Sequence, residues 1–394
     1  MITKFLCNDR LLSLFGLFIL CMSCFGQNMT LEKEIEHIMQ KYQAIGVTAV
    51  VVKDNKICYT HTFGYNPDYN DTTLRKPIPE DGVYVIASIS KTFISTAIMQ
   101  LVEKKKLSLD DDVNQYMTFN VRNPKYPDIP ITIRMLLCHR SSINNKQWAL
   151  TLNQINPKTG KKWKECYNDY APGEKYEYCN LTYSILGSII ENVTGERLDD
   201  YVENHITKPL GLYSSYNLTR IDSCRLVRGY YYDQEKKEFS TRDMKQYHVY
   251  NYKFCGHYLK DYKLGETVAV LAPTGGVKIS AVDLAKYMLM HMNNGKYGVK
   301  RIISKKSEME MRKTQMGNYN YGLAFARYAG RTDDGDLEGM VGCGWGVHSS
   351  MLFNSEKKYG FIVICNGCTS KAGDGQNMNT EIIQKLYKYL VKQR

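Results

Sequence analysis

The chain is arranged around the stretch Val85-Ile86-Ala87-Ser88-Ile89-Ser90-Lys91-Thr92-Phe93-Ile94. An apolar run leads to Ser88, and Lys91 follows three positions later in a segment with the composition of a helix. Residues three apart on a helix lie on one face. The spacing therefore predicts that the Ser88 hydroxyl and the Lys91 amine lie within reach of each other, near the positive N-terminal end of the helix.

This pair has the chemistry of a nucleophile and a base. Serine is a weak nucleophile until a base removes its proton. A lysine can be that base if burial or nearby positive charge lowers its pKa from about 10.4 toward neutrality. Ser88 and Lys91 are therefore candidate catalytic residues. A solvated lysine at an ordinary helix start is the alternative interpretation, and Ser90 is a rival hydroxyl that faces another side.

The first 26 residues of the 394-residue chain differ from the rest. Lys4 and Arg10 precede an apolar run over 11–26, which is shorter than the roughly 20 residues of a membrane span. This pattern predicts a signal peptide over residues 1–26 and an exported protein, periplasmic or extracellular. Cys24 offers an alternative, because a lipid attached there would anchor the protein to a membrane. We expect residues 28–394 to form a single domain.

Composition excludes several other classes. The net charge is +12, but the basic residues are spread along the chain without a basic, aromatic-interleaved motif, so we expect no nucleic-acid partner. Three of the 12 cysteines fall in the leader, and the odd number that remains predicts no framework of disulfides. Cys365 and Cys368 have redox-motif spacing, which we interpret as chance. The absence of metal-ligand spacing predicts no metal and no cofactor.

Apolar periodicity predicts helices at both ends of the mature chain and strands next to them. The first helix is capped by Thr30, and a hairpin over 46–52 and 56–63 follows it. Later strands are predicted over 321–326, 346–353 and 359–364. We therefore expect an α/β (α+β) fold with an antiparallel sheet, flanking terminal helices and an inserted, mostly helical subdomain over about 93–265, with the site at the junction.

A second polar cluster lies in Tyr176-Glu177-Tyr178-Cys179-Asn180. Residues two apart in an extended stretch project to the same side, so Tyr178 and Asn180 are expected to face one pocket. Tyr178 is a candidate proton relay, and Asn180 is a candidate hydrogen-bond partner for a substrate amide. His139 follows an apolar turn, where histidines commonly hydrogen-bond loop backbone, and we expect a structural role for it.

Together these stretches resemble the serine hydrolase family of class C β-lactamases, D-alanyl-D-alanine carboxypeptidases and related esterases. The resemblance covers nearly all of the mature chain and rests on Ser88-Ile89-Ser90-Lys91, Leu136-Leu137-Cys138-His139, Tyr178-Cys179-Asn180, Pro209-Leu210-Gly211, Gly275-Gly276 and Tyr321-Gly322-Leu323. It implies a β-lactamase/transpeptidase-like fold and an acyl-enzyme on Ser88. It further implies that Lys91 and Tyr178 share acid–base work and that Asn180 positions the substrate.

The third family motif, His/Lys-x-Gly on a strand, is where this chain departs from the pattern. Alignment places Met340-Val341-Gly342 there, and methionine offers neither charge nor a donor. The resemblance implies an oxyanion hole made of the backbone amides of Ser88 and Cys343, so Gly342 and Cys343 are candidate substrate-binding residues. We expect poor recognition of substrate carboxylates and a shift toward esters or other substrates. If the alignment of this strand were shifted to another register, His348 would approach the site. We interpret His348 instead as a residue that faces the sheet.

The expected function is an exported serine hydrolase acting on ester, amide or β-lactam substrates, cell-wall peptides among them. Its expected partner is thus a small molecule or a peptide. The alternative is a non-catalytic pocket protein of the same fold that binds a cell-wall fragment or peptide, with the tyrosine-rich segment 223–271 as a wall or flap beside the pocket. The sequence indicates no oligomeric state.

Overall fold

The computed structural model describes residues 30–67, 75–147, 152–240, 248–315, 320–369 and 375–392. The predicted signal peptide and Cys24 lie outside these residues. The helices are α1 (30–41), α2 (Ser90–Glu103), α3 (Ile133–Leu137), α4 (Leu181–Thr194), α5 (Leu198–Val202), α6 (Tyr252–Lys260), α7 (Ala281–Met292), α8 (Lys305–Arg312) and α9 (Gly375–Leu386).

The strands fall into one large sheet and three small ones. The large sheet contains β1 (Gly46–Lys53), β2 (Lys56–Pro67), β3 (Arg75–Pro77), β12 (Ala326–Thr332), β13 (Gly335–Gly344), β14 (Val347–Asn354) and β15 (Tyr359–Cys365). The small sheets contain β4 (Val83–Val85), β5 (Ser214–Ser215), β6 (Leu226–Val227) and β9 (Lys278–Ser280), then β7 (Tyr231–Asp233) with β8 (Glu238–Ser240), and β10 (Lys296–Tyr297) with β11 (Lys300–Arg301).

The large sheet is antiparallel and runs in the order β12-β13-β14-β15-β1-β2-β3. The N-terminal hairpin β1–β2 therefore joins the C-terminal strands, with Val50 opposite Ile362 of β15 on one side and Thr60 of β2 on the other. Both faces of β1 and β15 are covered, which explains why their residues are almost all apolar and buried.

Two layers of helices pack on the two faces of this sheet. Alternate residues of a strand point to opposite faces, so Val51 packs in the cluster of Ile35 from α1 and Ile382 from α9, whereas Val50 packs in the cluster of Phe93 from α2. The predicted α/β (α+β) arrangement of an antiparallel sheet and terminal helices is confirmed.

The polypeptide between the hairpin and the C-terminal strands is rich in helices, as predicted. Thr132 caps α3 by accepting a hydrogen bond from the Met135 amide at 3.2 Å, and Ser280 caps α7 through the Asp283 amide at 3.1 Å. The four-stranded sheet β5-β9-β4-β6 lies beside these helices, and its strand β4 leads directly toward Ser88.

Two predictions about local structure were wrong. The strand predicted over 321–326 is instead a turn over 321–325, because Ala324 has φ of 69° and the Gly322 amide donates to the Phe325 carbonyl at 2.6 Å. Strand β12 begins only at Ala326. The tyrosine-rich segment contains the helix α6 in addition to the extended hairpin β7–β8. Within the described residues, we find no helix with the length and apolar character that crossing a bilayer requires.

Candidate active site

Ser88 is presented by a sharp change of backbone direction after β4. Ala87 has φ of 47°, a left-handed conformation that residues with a Cβ seldom adopt. A short 3-10 turn spans Ala87–Ile89, and α2 begins at the next residue. The hydroxyl of Ser88 is therefore held at the N-terminal end of α2, half-buried at the edge of a cleft. The rival Ser90 is buried, and its hydroxyl accepts a hydrogen bond from the Val277 amide at 3.0 Å.

The Lys91 amine lies one helical turn from Ser88, with Nζ 3.0 Å from Ser88 Oγ. Two further atoms accept hydrogen bonds from the amine. Nζ donates to Asn180 Oδ1 at 2.8 Å and to the Thr274 carbonyl at 2.9 Å. The predicted contact between the two candidate catalytic residues is therefore present, and it is reinforced by groups from two distant parts of the chain.

Burial lowers the pKa of Lys91 to about 7. A carboxylate beside Lys91 would favour the charged ammonium form. The amine is instead hydrogen-bonded to an amide oxygen and a backbone carbonyl, which carry no net charge. A neutral amine has two N–H groups and one lone pair. Because Asn180 and Thr274 take the two N–H groups, the lone pair is left facing Ser88 Oγ, the position from which a base removes the serine proton.

Tyr178 contacts the same hydroxyl, with its phenolic oxygen 2.8 Å from Ser88 Oγ. Burial raises the pKa of Tyr178, so the phenol keeps its proton near neutral pH and donates it to Ser88. The ring also lies 4.9 Å from Lys91 Nζ, and the Tyr183 ring lies 5.5 Å from it. These electron-rich faces would stabilise an ammonium formed when Lys91 accepts a proton.

His139 has the structural role that we predicted. Its Nδ1 accepts a hydrogen bond from the Cys179 amide at 3.2 Å, and its Nε2 lies 3.2 Å from the hydroxyl of Tyr321. Burial holds the pKa of His139 well below its usual range, so the imidazole is neutral. Its ring packs 4.3 Å from the Tyr178 ring between centroids. His139 therefore orients the loop that carries Tyr178 and does not contact Ser88 itself.

Asn145 is a positioning residue that the sequence did not reveal. Its Oδ1 accepts a hydrogen bond from the Asn180 amide at 2.7 Å, and its Nδ2 donates to the Tyr178 carbonyl at 3.1 Å. One side chain thus holds both ends of the Tyr178–Asn180 stretch. The Thr274 carbonyl was also missed, because a backbone atom 183 positions from Lys91 gives no sequence signal.

Strand β13 lines the cleft together with Tyr178. A Cβ on Gly342 would lie 2.6 Å from the Ile86 carbonyl oxygen and 2.9 Å from the Ser88 amide nitrogen, so only glycine allows this approach. The Ser349 hydroxyl of β14 donates to the Ile86 carbonyl at 2.8 Å and ties the sheet to the same turn. Cys343 follows Gly342 and borders the space next to Ser88.

Two cavities open beside Ser88, and both are lined by Ser88 and Cys343. One has a volume of about 350 Å³ and is lined by Ser88, Tyr176, Tyr178, Tyr321, Ala326, Tyr328, Met340, Val341 and Cys343. The other, of about 260 Å³, is lined by Ala87, Ser88, Asn180, Thr274, Gly275, Cys343, Gly344 and Trp345. No described residue of the tyrosine-rich segment lines either cavity, so the predicted wall or flap is not seen there.

Met340 occupies the position where the family pattern has a cation or a hydrogen-bond donor. Its side chain is 3% exposed, and the Tyr321 hydroxyl lies 4.0 Å from its sulfur. None of the described residues lining the two cavities is charged. Among the described residues there is also no group of three or more histidine, cysteine or acidic side chains that could hold a metal.

A family model for β-lactamases matches residues 31–385, which is almost the whole described chain. Among curated proteins, the chain is 32% identical over 206 residues to protein flp of Staphylococcus aureus (strain N315). That match covers 51% of this chain but only 40% of flp. This chain is also 27% identical over 300 residues to a protein of Escherichia coli O157:H7 that is assigned provisionally as a D-alanyl-D-alanine carboxypeptidase. The match covers 71% of this chain and 67% of that protein.

The fold has solved counterparts. The β-lactamase/D-alanine carboxypeptidase from Pseudomonas syringae superposes with a TM-score of 0.67, covering 94% of this chain and 99% of the other at 17% identity. At that identity the similarity concerns the fold alone. The shared fold is consistent with the family match. The chain therefore belongs to the β-lactamase family, whose members are generally serine hydrolases.

Proposed function

We propose that the protein is a serine hydrolase that forms an acyl-enzyme on Ser88 and acts on esters, amides or β-lactams whose group next to Met340 carries no negative charge. The observation that carries this proposal is the double contact of Ser88 Oγ, with Lys91 Nζ at 3.0 Å and the Tyr178 hydroxyl at 2.8 Å. A base and an acid that both contact one hydroxyl are what acyl transfer through serine requires.

Attack begins when the neutral Lys91 amine takes the proton of Ser88. The serine oxygen forms a bond to the substrate carbonyl carbon, and negative charge develops on the carbonyl oxygen. Ser88 and Cys343 line both cavities beside the nucleophile, and we assign their backbone amides as the donors to this oxygen. Fixed donors of this kind are worth roughly 3 to 4 kcal/mol each in acyl transfer.

Collapse of the intermediate requires a proton for the leaving group. Tyr178 gives its phenolic proton to the departing oxygen or nitrogen, and the Lys91 ammonium returns a proton to the phenolate. One proton has then passed in net terms from Ser88 to the leaving group, by way of Lys91 and Tyr178, and both residues recover their original protonation states. In the second half the same pair takes the proton of a water whose oxygen attacks the acyl carbon. The bond from that carbon to Ser88 Oγ then breaks, and the pair returns a proton to Ser88.

The uncharged lining of the cleft supports the substrate class. A carboxylate placed beside Met340 would lose water without gaining a cation or a donor from that side chain, which is unfavourable for a charged group. The aromatic rings and the Met340 sulfur instead suit an apolar or aromatic group. Cell-wall peptides fit this class only where their carboxylate lies outside the cleft or is amidated.

Labelling with an alkyl fluorophosphonate tests the proposal, since this probe phosphonylates activated serines. The mature protein should gain one phosphonyl group, and peptide mapping should place it on Ser88. Ser88→Ala is the matched negative control, and Ser90→Ala controls for the neighbouring hydroxyl. A folded wild-type protein that takes no label on Ser88 would falsify the proposed chemistry.

Met340 also motivates a second candidate function, a non-catalytic protein that holds a cell-wall fragment or peptide in the same cleft. This candidate predicts ligand binding that Ser88→Ala leaves unchanged and no turnover on ester, amide or lactam substrates. Calorimetric titration of wild type and Ser88→Ala, beside the labelling experiment, separates the two.

Export is part of the proposal, on the strength of the leader over residues 1–26. Fractionation of cells that produce the full chain, with mass spectrometry of its N-terminus, distinguishes cleavage after Gly26 from a lipid on Cys24.

A further inference from the structure

The two cavities beside Ser88 are lined by groups of different chemistry. Tyr178 lines the cavity of about 350 Å³, which is called the aromatic cavity below. Asn180 lines the cavity of about 260 Å³, which is called the amide cavity below. Because Tyr178 is the acid that protonates the leaving group, an assignment that rests on the proposed hydrolase, the leaving group must lie in the aromatic cavity. The acyl part of the substrate therefore extends into the amide cavity.

Trp345 lines the amide cavity from the turn between β13 and β14. Its indole lies over Gly275, because a Cβ added to Gly275 would be 2.6 Å from Trp345 Cζ3 and 2.9 Å from Trp345 Cη2. The same Cβ would be 3.3 Å from the carbonyl carbon of Ala87, the residue before the nucleophile. The six-membered ring of the indole therefore lies beside the turn that presents Ser88.

The other walls of the amide cavity are backbone and side chains no larger than asparagine. Gly344 faces the Ser88 turn, since its added Cβ would be 3.9 Å from the Ala87 Cβ. Strand alternation then points the Cys343 side chain to the opposite face of the sheet, so Cys343 lines the cavity with its backbone. Among the described residues that line the amide cavity, Trp345 is the one aromatic residue and none is charged. The indole is therefore the largest group that limits the space for an acyl chain.

The tyrosine-rich segment packs against the backbone of this turn. Trp345 has φ of 51°, a conformation that a bulky residue keeps only when its surroundings impose it. The Tyr250 hydroxyl lies 3.5 Å from the Trp345 carbonyl oxygen and accepts a hydrogen bond from the Gly229 amide at 3.2 Å. A Cβ on Gly229 would be 2.0 Å from the same carbonyl oxygen, and one on Gly346 would be 2.4 Å from the Tyr230 nitrogen. The close packing holds the indole as a fixed wall.

We propose that Trp345 determines which acyl groups the enzyme accepts, and that these are uncharged groups of about one aromatic ring on a short linker, stacked on the indole. A cavity of about 150 Å³ is enough to bind benzene, so about 260 Å³ holds a phenylacetyl group. Aromatic rings gain from stacking on one another beyond the area that they bury. A second ring on the same acyl carbon would collide with the indole.

Hydrolysis of 4-nitrophenyl esters tests the proposal, because the leaving group stays constant while the acyl group changes from acetyl to phenylacetyl to diphenylacetyl. Each kcat/KM is divided by the rate constant for hydroxide, which corrects for the reactivity of the ester. In the wild type the diphenylacetyl ester should react at least about tenfold more slowly than the phenylacetyl ester, the scale on which a pocket rejects a misfitting group. Trp345→Ala should remove most of this difference, and Trp345→Phe, which keeps one ring, should remove less of it.

A second ester series assigns the effect to one cavity. Acetyl esters of 4-nitrophenol and 4-methylumbelliferone keep the acyl group small and change the size of the leaving group. Their kcat/KM ratio should be the same in Trp345→Ala as in the wild type. Trp163→Ala is the matched control, because it also removes an indole, which packs against the Tyr167 ring and lines neither cavity. This control should leave the acyl ratio and the leaving-group ratio unchanged.

Equal corrected rates for the three acyl groups in the wild type would overturn the proposal, and that reading requires no variant to fold. A folded Trp345→Ala protein with the wild-type acyl preference would also overturn it, as would a shift in the leaving-group ratio alone. Ester turnover with Ser88 labelled and no acyl preference would refute the role of Trp345 and leave the hydrolase standing. Absence of both turnover and labelling would refute the hydrolase itself, so the two failures are distinguishable.

Discussion

The Lys91 amine is fully buried and lies 3.0 Å from the Ser88 hydroxyl, with an amide oxygen and a backbone carbonyl as its other two partners. A buried ammonium without a carboxylate is costly, and this cost is the reason that the amine can be neutral near physiological pH. The base strength of the site is therefore a consequence of where the sequence buries Lys91.

The rate of Ser88 labelling should increase with pH and reach half its maximum near pH 7, because the pKa of Lys91 is lowered to about 7. Below that pH the amine is protonated and cannot accept the serine proton, whereas above it the free base predominates. Labelling rates measured across a pH series give the inflection. Lys91→Arg keeps its charge over this whole range and should label far more slowly, with no inflection. An inflection near the ordinary lysine pKa of about 10.4 would contradict the assignment.

Tyr178→Phe removes the phenolic proton but keeps the ring that packs on His139. We expect kcat to decrease by about a hundredfold to ten-thousandfold with little change in KM, since general-acid catalysis contributes on that scale. Tyr126→Phe is the control, because its hydroxyl bonds to the Asp169 carbonyl at 3.1 Å on the surface. Equal kinetics for the two variants would exclude Tyr178 as the acid.

Gly342→Ala should displace β13 from the nucleophile, because the added Cβ would lie 2.6 Å from the Ile86 carbonyl oxygen and 2.9 Å from the Ser88 amide. Loss of one oxyanion donor costs about a hundredfold to a thousandfold in kcat. Gly256→Ala in α6 is the matched control, since nothing lies within 4 Å of its added Cβ. Full activity in Gly342→Ala would show that the strand does not supply a donor.

Met340→Lys should shift preference toward substrates with a free carboxylate. The comparison uses kcat/KM for one scaffold as the free acid and as its methyl ester. A cation in the cleft should raise the acid-to-ester ratio by about tenfold or more, which corresponds to about 1.4 kcal/mol. Met340→Leu keeps the apolar character and should leave the ratio unchanged. An unchanged ratio in folded Met340→Lys would contradict the proposed role of this position in specificity.

Periodicity in the sequence was enough to predict the elements whose burial is regular. The hairpin β1–β2 and the strands β14 and β15 have continuous apolar faces bounded by turns. Their predicted extents agree with the structure within a few residues. The Ser-x-x-Lys spacing likewise predicted the contact between Ser88 and Lys91, because helical geometry alone places those side chains together.

Other features depend on contacts that no local pattern encodes. Strand β13 has glycines at 339, 342 and 344, which lower its strand propensity, and the resemblance to a family rather than periodicity indicated it. The reversal at Ala324 replaces the strand predicted over 321–326 with a turn. Asn145 and the Thr274 carbonyl reach the site from distant positions, and polar groups of that kind are common in loops.

The acyl-enzyme on Ser88 is tested most directly by intact-protein mass spectrometry of enzyme that is quenched in acid during turnover of an uncharged aryl ester. The proposed acyl-enzyme mechanism predicts a species heavier by one acyl group, with the acyl group on the peptide that contains Ser88, and the absence of this species in Ser88→Ala. Turnover of the ester without any acylated Ser88, in wild type sampled through the approach to steady state, would contradict the account.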